Sequence, residues 1–404
     1  MNLRVLKEFP SLNLRLVSLP AGQEVSGALA QLTSGPNVLY AEPNYVLEPQ
    51  AVPNDPSFGL QWHLRNTGQT VNDTAGTSGA DISATTAWDS TTGSSSVVVA
   101  IIDTGADLNH PDLSENIDSR SHDFVLGTSN PQDTSGHGTS VAGIIGAVGN
   151  NGVGVAGVAW TAKLMVLRAG VAALPIATVI EAITYAKDNG AQIANISAGT
   201  TVFSRALKEA IDGAPGLLFV TAAGNSATDN DQTPTYPASF DSANVIAVAA
   251  TDQNDNLASF SNFGATSVDL AAPGRNITTT QLGGGVRQGF TGTSAAAPVV
   301  AGVAALVKAL FPSKSVSELK STILDGIDRK SPLCGKLVTG GRVNAKLAVT
   351  EAPAQGSPCD GTAGTGASKV SATAGGRSGV GSNAASDRPR TDEGPASSSI
   401  GAFP

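Results

Sequence analysis

Residues 97–102, Val97-Val98-Val99-Ala100-Ile101-Ile102, run without one polar residue and lead straight into Asp103-Thr104-Gly105. A strand with one wet face alternates apolar and polar residues. An uninterrupted run fits a strand covered on both faces, which occurs almost only in parallel sheets flanked by helices. Residues 192–196, 217–221 and 245–249 read as further short strands, and residues 178–187 as a helix. The fold expected is therefore α/β, a three-layer sandwich with a largely parallel central sheet. In such sheets ligands bind beyond the carboxyl ends of the strands. Asp103 follows one strand directly, and Asn225 follows another after a short turn.

The 404 residues divide into three stretches by pattern. In residues 1–50, Leu12, Leu14 and Leu16 alternate like a strand. Val25, Leu29 and Leu32 recur at helical spacing, and residues 38–46 read as a second strand. This small α+β module is too short for a robust core of its own. Residues 51–351 carry the strand–helix alternation. Residues 352–404 are rich in Ala, Gly, Ser, Thr and Pro, with Phe403 their one aromatic, and read as a linker or disordered tail.

With 41% hydrophobic and 14% charged residues, the chain has ample material for a large core. A net charge of −9 gives it no electrostatic reason to bind nucleic acid or an anionic membrane, though it suits cations. The longest apolar stretch, residues 295–311, contains Pro298 and Lys308 and reads as a buried helix rather than a membrane span. The first ten residues carry Arg4, Lys7 and Glu8 and lack the apolar region of a signal peptide. Cys334 and Cys359 lie 25 positions apart. That spacing leaves a disulfide and two separate thiols equally open.

Four local patterns carry chemistry: Asp103-Thr104-Gly105, Gly136-His137-Gly138-Thr139, Ala222-Ala223-Gly224-Asn225 and Gly292-Thr293-Ser294-Ala295-Ala296-Ala297-Pro298. A serine hydroxyl is a weak nucleophile and needs an adjacent base. Histidine accepts a proton near neutrality. A buried carboxylate orients the imidazole and stabilises its charged form. Ser294 falls at the start of an apolar helix, where free N–H groups favour a developing negative charge. Pro298 is read as lying in the first turn, where proline is tolerated. An amide such as Asn225 could donate to an oxyanion. Singly each pattern has a bland reading: a turn aspartate, a structural histidine, an N-cap serine. Their joint occurrence with these flanks is what points to chemistry.

Together the four blocks, in the order Asp, His, Asn, Ser, resemble the subtilisin-like serine proteases over roughly residues 55–350. The resemblance implies a serine endopeptidase in which Asp103 orients, His137 is general base and acid, Ser294 is the nucleophile and Asn225 helps hold the oxyanion. An esterase of the α/β-hydrolase class would need Gly-x-Ser-x-Gly and the order Ser, acid, His; Ser294 has neither. A second reading, a catalytically dead relative that only binds peptides, is opposed by the intact Asp103, His137, Asn225 and Ser294, and labelling by a fluorophosphonate would decide between them.

By the same resemblance, Ser197, Ala198 and Gly199 pair with the substrate as an added strand, and with Ala223 and Gly224 they wall the first specificity pocket. Broad specificity follows, with apolar or aromatic residues before the cut bond. Ala198 and Thr200 depart from the family pattern, as does the stretch 170–175 on the other cleft edge. Residues 148–155, Val148-Gly149-Asn150-Asn151-Gly152-Val153-Gly154-Val155, resemble the family's tight Ca²⁺ site. Its ligands would be Asp55, Asp112, the Asn151 side chain and the carbonyls of Val148, Val153 and Val155. Asp269 resembles a weaker second site. Residues 38–46 resemble the end of the inhibitory propeptide, which occupies the cleft as a product, so self-cleavage is expected between about Val46 and Asn54. The resemblance also implies polypeptide substrates, an extracellular location and a monomer.

Overall fold

The computed structural model describes residues 3–20, 23, 25–44, 51–356 and 359. The chain divides into two compact units, Met1–Gln50 and Ala51–Pro404. Of the expected tail, only residues 352–356 and Cys359 fall among the described residues.

In the first unit, strands Arg4–Phe9 and Leu14–Ser18 pair antiparallel, joined by a short turn over Pro10–Leu12 that takes in Leu12. A helix, Val25–Thr33, follows at the spacing the leucines set. The strand expected over residues 38–46 does not form in residues 38–44. Pro43 has no N–H to give a ladder there; Tyr45 and Val46 lie outside the described residues.

The second unit is built on a nine-stranded sheet. Its strands are β1 (Val98–Asp103), β2 (His122–Asp123), β3 (Lys163–Arg168), β4 (Ile193–Ile196), β5 (Leu218–Ala222), β6 (Val245–Thr251), β7 (Leu270–Pro273), β8 (Ile327–Arg329) and β9 (Gly341–Val343). The spatial order is β8-β9-β7-β6-β5-β4-β1-β3-β2. Every neighbouring pair is parallel except the edge pair β8–β9. The expected α/β sandwich with a largely parallel sheet is what forms.

The first strand shows why its sequence has no polar alternation. Val99 and Ile101 point into one core, with Val141, Ile144 and Ile145 of α1 (His137–Gly146) and the apolar residues of a long central helix. Val98, Ala100 and Ile102 point into the opposite core, with Val179, Ala182 and Ile183 of α2 (Ile176–Asp188) and Leu207 and Ile211 of α3 (Arg205–Asp212). Both faces are dry, so both residue sets are apolar.

The central helix is α4 (Thr293–Leu310), buried continuously from Thr293 to Val307. By length and composition it could cross a membrane, but 83% of it is buried inside this unit. It is a core helix. Pro298 is its sixth residue, not a first-turn residue as the sequence suggested. A proline there withholds the N–H that would bond the carbonyl four residues back, that of Ser294. Cys334 and Cys359 are joined as a disulfide. Arg342, fully buried on β9, is paired with Asp255 and Asp328.

Candidate active site

The parallel strands bring their carboxyl ends to one rim. Asp103 is the last residue of β1 and 2% exposed. Its Oδ1 accepts the Thr104 N–H at 2.7 Å and faces His137 Nδ1 at 2.8 Å. An ionised carboxylate only accepts, so Nδ1 carries the proton and Nε2 is left with its lone pair. His137 is the first residue of α1. The close approach depends on Gly138: a Cβ there would lie 2.1 Å from the Gly105 carbonyl oxygen and 3.1 Å from Asp103 Oδ1. Burial depresses the imidazolium, but the charge and hydrogen bond of Asp103, then the charge of Asp133, outweigh it. The His137 pKa therefore lies above the ordinary value, with Arg287 opposing the rise.

Asp133 is a residue the sequence reading missed. It is 2% exposed and accepts five hydrogen bonds: from Ser135 N, Gly136 N, Thr139 N, Thr139 Oγ1 and Thr104 Oγ1. Thr104 Oγ1 in turn accepts from Gly138 N at 3.0 Å. One carboxylate thus ties the residue after Asp103 to the helix start that carries His137. Burial raises its pKa, but these donors more than offset it, so the carboxylate is held ionised. A signal existed in Asp133 lying four residues before His137, but an aspartate ahead of a Gly-rich turn is common.

Ser294 is the second residue of α4 and 5% exposed. The neighbouring Asn225 is fixed by its carbonyl end. Its Oδ1 accepts from Thr293 N at 2.8 Å and Thr293 Oγ1 at 3.0 Å, and Thr293 Oγ1 accepts from Gly224 N at 3.1 Å. This orients the amide and leaves Nδ2 facing the serine. A Cβ built on Gly292 would lie 2.8 Å from Ser294 Oγ and 3.4 Å from Asn225 Nδ2. Only glycine keeps that point open, and Gly292 has φ 150°. Serine hydroxyl and amide donor therefore converge on one small space. The site's hydrogen bonds join His137 to Asp103 and not to Ser294; nucleophile–base contacts commonly tighten only with substrate bound.

The Ser294 carbonyl left without a helical donor by Pro298 is taken by Ser197 Oγ at 3.1 Å. Ser197 Oγ accepts from Asn195 Nδ2 at 2.9 Å, which points its proton at Ser294. The Ser197 side chain thus faces the serine's helix, leaving its backbone as the part that could pair with a peptide. Ala198 and Gly199 are half-buried beyond the end of β4. Ala223 is fully buried, with its carbonyl bonded by Asn230. Thr235, which the sequence reading missed, lies between the two expected pocket walls. Its Cγ2 is 3.0 Å from a Cβ built on Gly199 and 3.4 Å from one built on Gly224.

The expected calcium residues also meet. Asp55 Oδ2 accepts Asn150 N at 2.7 Å, and Asp55 Oδ1 is buried without a partner. Asp112 is fully buried and accepts from Asn151 Nδ2 at 2.9 Å and Val155 N at 2.7 Å. Burial raises the Asp112 pKa, these two hydrogen bonds oppose the rise, and the nearby Asp55 charge adds to it. Among the described residues, no hydrogen bond is made to the carbonyls of Val148, Val153 and Val155. An orphaned carboxylate oxygen, two buried acids and three free carbonyls form an all-oxygen donor set that fits a hard cation. No cluster of three or more His, Cys, Asp or Glu occurs among the described residues. Asp269 lies apart, just before β7, its Oδ2 accepting Ala247 N at 2.8 Å.

Comparison with known proteins gives the family to which the chain is similar. Residues 94–341 match the model described as Subtilase family, and residues 1–44 match the Fervidolysin N-terminal prodomain. A thermophilic serine proteinase from Bacillus sp. is 38% identical over 333 residues, covering 81% of this chain and 76% of the relative. Thermitase from Thermoactinomyces vulgaris is 41% identical over 272 residues, covering 66% and 93%. Among solved structures, a protease from Pseudoalteromonas arctica has a TM-score of 0.63 at 31% identity, covering 74% of this chain and 99% of its own.

Proposed function

The chain belongs to the subtilase family of serine endopeptidases, and on that premise we propose that Asp103, His137, Ser294 and Asn225 hydrolyse peptide bonds through a Ser294 acyl-enzyme. The observation that carries the reading is the convergence of Ser294 Oγ and Asn225 Nδ2 on the space beside Gly292. His137 Nε2 takes the Ser294 proton as Oγ attacks the carbonyl carbon. Asp103 holds the ring in the tautomer this needs and stabilises the imidazolium. The oxyanion receives the Asn225 amide and the Ser294 N–H at the helix start. Protonated His137 then gives its proton to the leaving amine, and water repeats the sequence on the acyl-enzyme.

The substrate runs along residues 197–199 as an added strand, which gives affinity without sequence demand. Ala198, Gly199, Ala223 and Gly224 favour an apolar or aromatic residue before the cut bond. Calcium at Asp55, Asp112, Asn151 and the carbonyls of Val148, Val153 and Val155 would fix the loop 148–155, with Asp269 a weaker second site. Such an ion would supply the positive charge that offsets the two buried carboxylates. Residues 1–50 act as an inhibitory propeptide, removed by self-cleavage between about Val46 and Asn54, ahead of a catalytic domain of residues 51–351. An extracellular role for the mature enzyme accords with the family.

Casein digestion by wild type and Ser294→Ala, with product ends mapped by mass spectrometry, tests the reading. Wild type should release peptides and Ser294→Ala should release none. Equal digestion by both would overturn it. Pure Ser294→Ala protein that still loses residues 1–50 would overturn self-cleavage.

A further inference from the structure

A cavity of about 410 Å³ lies beside His137, lined by Ser135, Gly136, Ser140, Gln281, Leu282 and Arg287. It is of a size to hold a side chain. Arg287 is its one charged group. The guanidinium sits 4.8 Å from the centroid of the Phe290 ring, and that ring meets the His137 ring edge-on at 5.5 Å. No described ion pair or hydrogen bond uses the guanidinium, whereas buried Arg168 and Arg342 both have carboxylate partners. A half-buried guanidinium fixed on an aromatic face presents a planar fork of donors suited to a carboxylate. The lining offers no anion to occupy it. The one proton of Ser140 Oγ is already shared between the carbonyls of Gly136 at 3.0 Å and Thr280 at 3.2 Å, so it does not compete.

Gly136 immediately precedes His137, and His137 delivers the proton to the leaving amine. The cavity adjoins that proton donor through Gly136 and through Phe290, on which Arg287 lies, so in the proposed mechanism the leaving half of the peptide is the part brought nearest to it. We infer that the Arg287 cavity is a subsite for an acidic side chain carried by the leaving half of the substrate. The inference rests on the hydrolytic reading above. The site's cation stands out in a chain of net charge −9, so its effect on substrate choice is local rather than a property of the whole surface.

The test uses internally quenched peptides with amidated ends, identical except for Glu, Gln or Lys placed in turn at each of the three positions after the cut bond. Wild type should show kcat/KM about 3- to 10-fold higher for Glu than for Gln at one of these positions at low salt, as expected of a partly exposed charge-assisted contact. The preference should shrink as salt is added. Arg287→Gln should bring the Glu/Gln ratio to about one, Arg287→Lys should keep part of it, and Arg287→Glu should favour Lys. Ratios within one variant cancel any general change in activity or folding. A wild-type ratio near one at all three positions, or a preference that persists in Arg287→Gln, overturns the subsite. Failure of wild type to cut even the Gln peptides overturns the protease reading itself, which separates the two.

Discussion

The hydroxyl of Ser197 donates to the backbone carbonyl of Ser294 across 3.1 Å, at the one turn of α4 where Pro298 provides no N–H. The backbone of the proposed nucleophile is thus held by the segment along which the substrate is proposed to run.

Ser197→Ala leaves that buried carbonyl without a donor, at a cost of about 1–3 kcal/mol. Part of this should appear as misplacement of Ser294: kcat should fall roughly tenfold with little change in KM. Ser197→Thr, which keeps the hydroxyl, should retain most activity. Pro298→Ala offers an alternative donor, so Ser197→Ala/Pro298→Ala should lose less than Ser197→Ala alone. Steady-state kinetics on a peptide anilide gives all three. Equal loss in the Thr and Ala variants would show that the hydroxyl is not what matters.

Asp133 faces His137 as a second negative charge and raises its pKa. In Asp133→Asn that support goes, so the His137 pKa should fall and the acid limb of the kcat/KM profile should move to lower pH. The stability cost is about 2 kcal/mol, because charge-assisted bonds become neutral. A purely structural role would lower the whole profile without moving its acid limb. An unmoved or upward-shifted limb contradicts the electrostatic part of this account.

His63 is fully buried, and both ring nitrogens lack a partner among the described residues. Burial pulls its pKa down to about 3 from 6.5. The unfolded chain therefore binds a proton that the folded chain does not between those values, and stability should fall as pH drops from about 6.5 toward 3. One such group contributes a slope of up to about 1.4 kcal/mol per pH unit. Urea unfolding of Ser294→Ala protein at pH 7, 6, 5 and 4, with and without His63→Gln, reads the difference in slope. Identical slopes would show that His63 is not the group responsible.

The paired acids Asp55 and Asp112 predict a metal effect on stability. If calcium is present at about 100 times its Kd, removing it costs about 2.7 kcal/mol. That corresponds to a fall in Tm of about 4 °C for a domain of this size. Chelation of Ser294→Ala protein, followed calorimetrically, should show the fall, calcium but not magnesium should restore it, and Asp112→Asn should abolish the response. An unchanged Tm on chelation contradicts a tight site.

Much of this was legible in the residues because it is local. The apolar run before Asp103 announces a strand covered on both faces, and the glycines around His137 and Ser294 announce close approach. What stayed hidden depends on partners far along the chain. Nothing near Ser197 shows that its hydroxyl will meet Ser294, 97 positions away. Pro298 looks like a first-turn proline until the helix start is fixed at Thr293. The strand Arg4–Phe9 gives no pattern because no face of it is buried. Cys334 and Cys359 have no sequence context that decides between a bond and free thiols; the fold brings their Cα atoms to 5.4 Å.

The central claim is that Ser294 is made nucleophilic by His137, oriented by Asp103. Fluorophosphonate labelling followed by intact-mass and peptide mapping tests it directly. Wild type should carry one adduct, on Ser294, and His137→Ala should label at least about 100-fold more slowly, as loss of a general base requires. An adduct on another residue, or equal labelling rates in wild type and His137→Ala, would contradict the account.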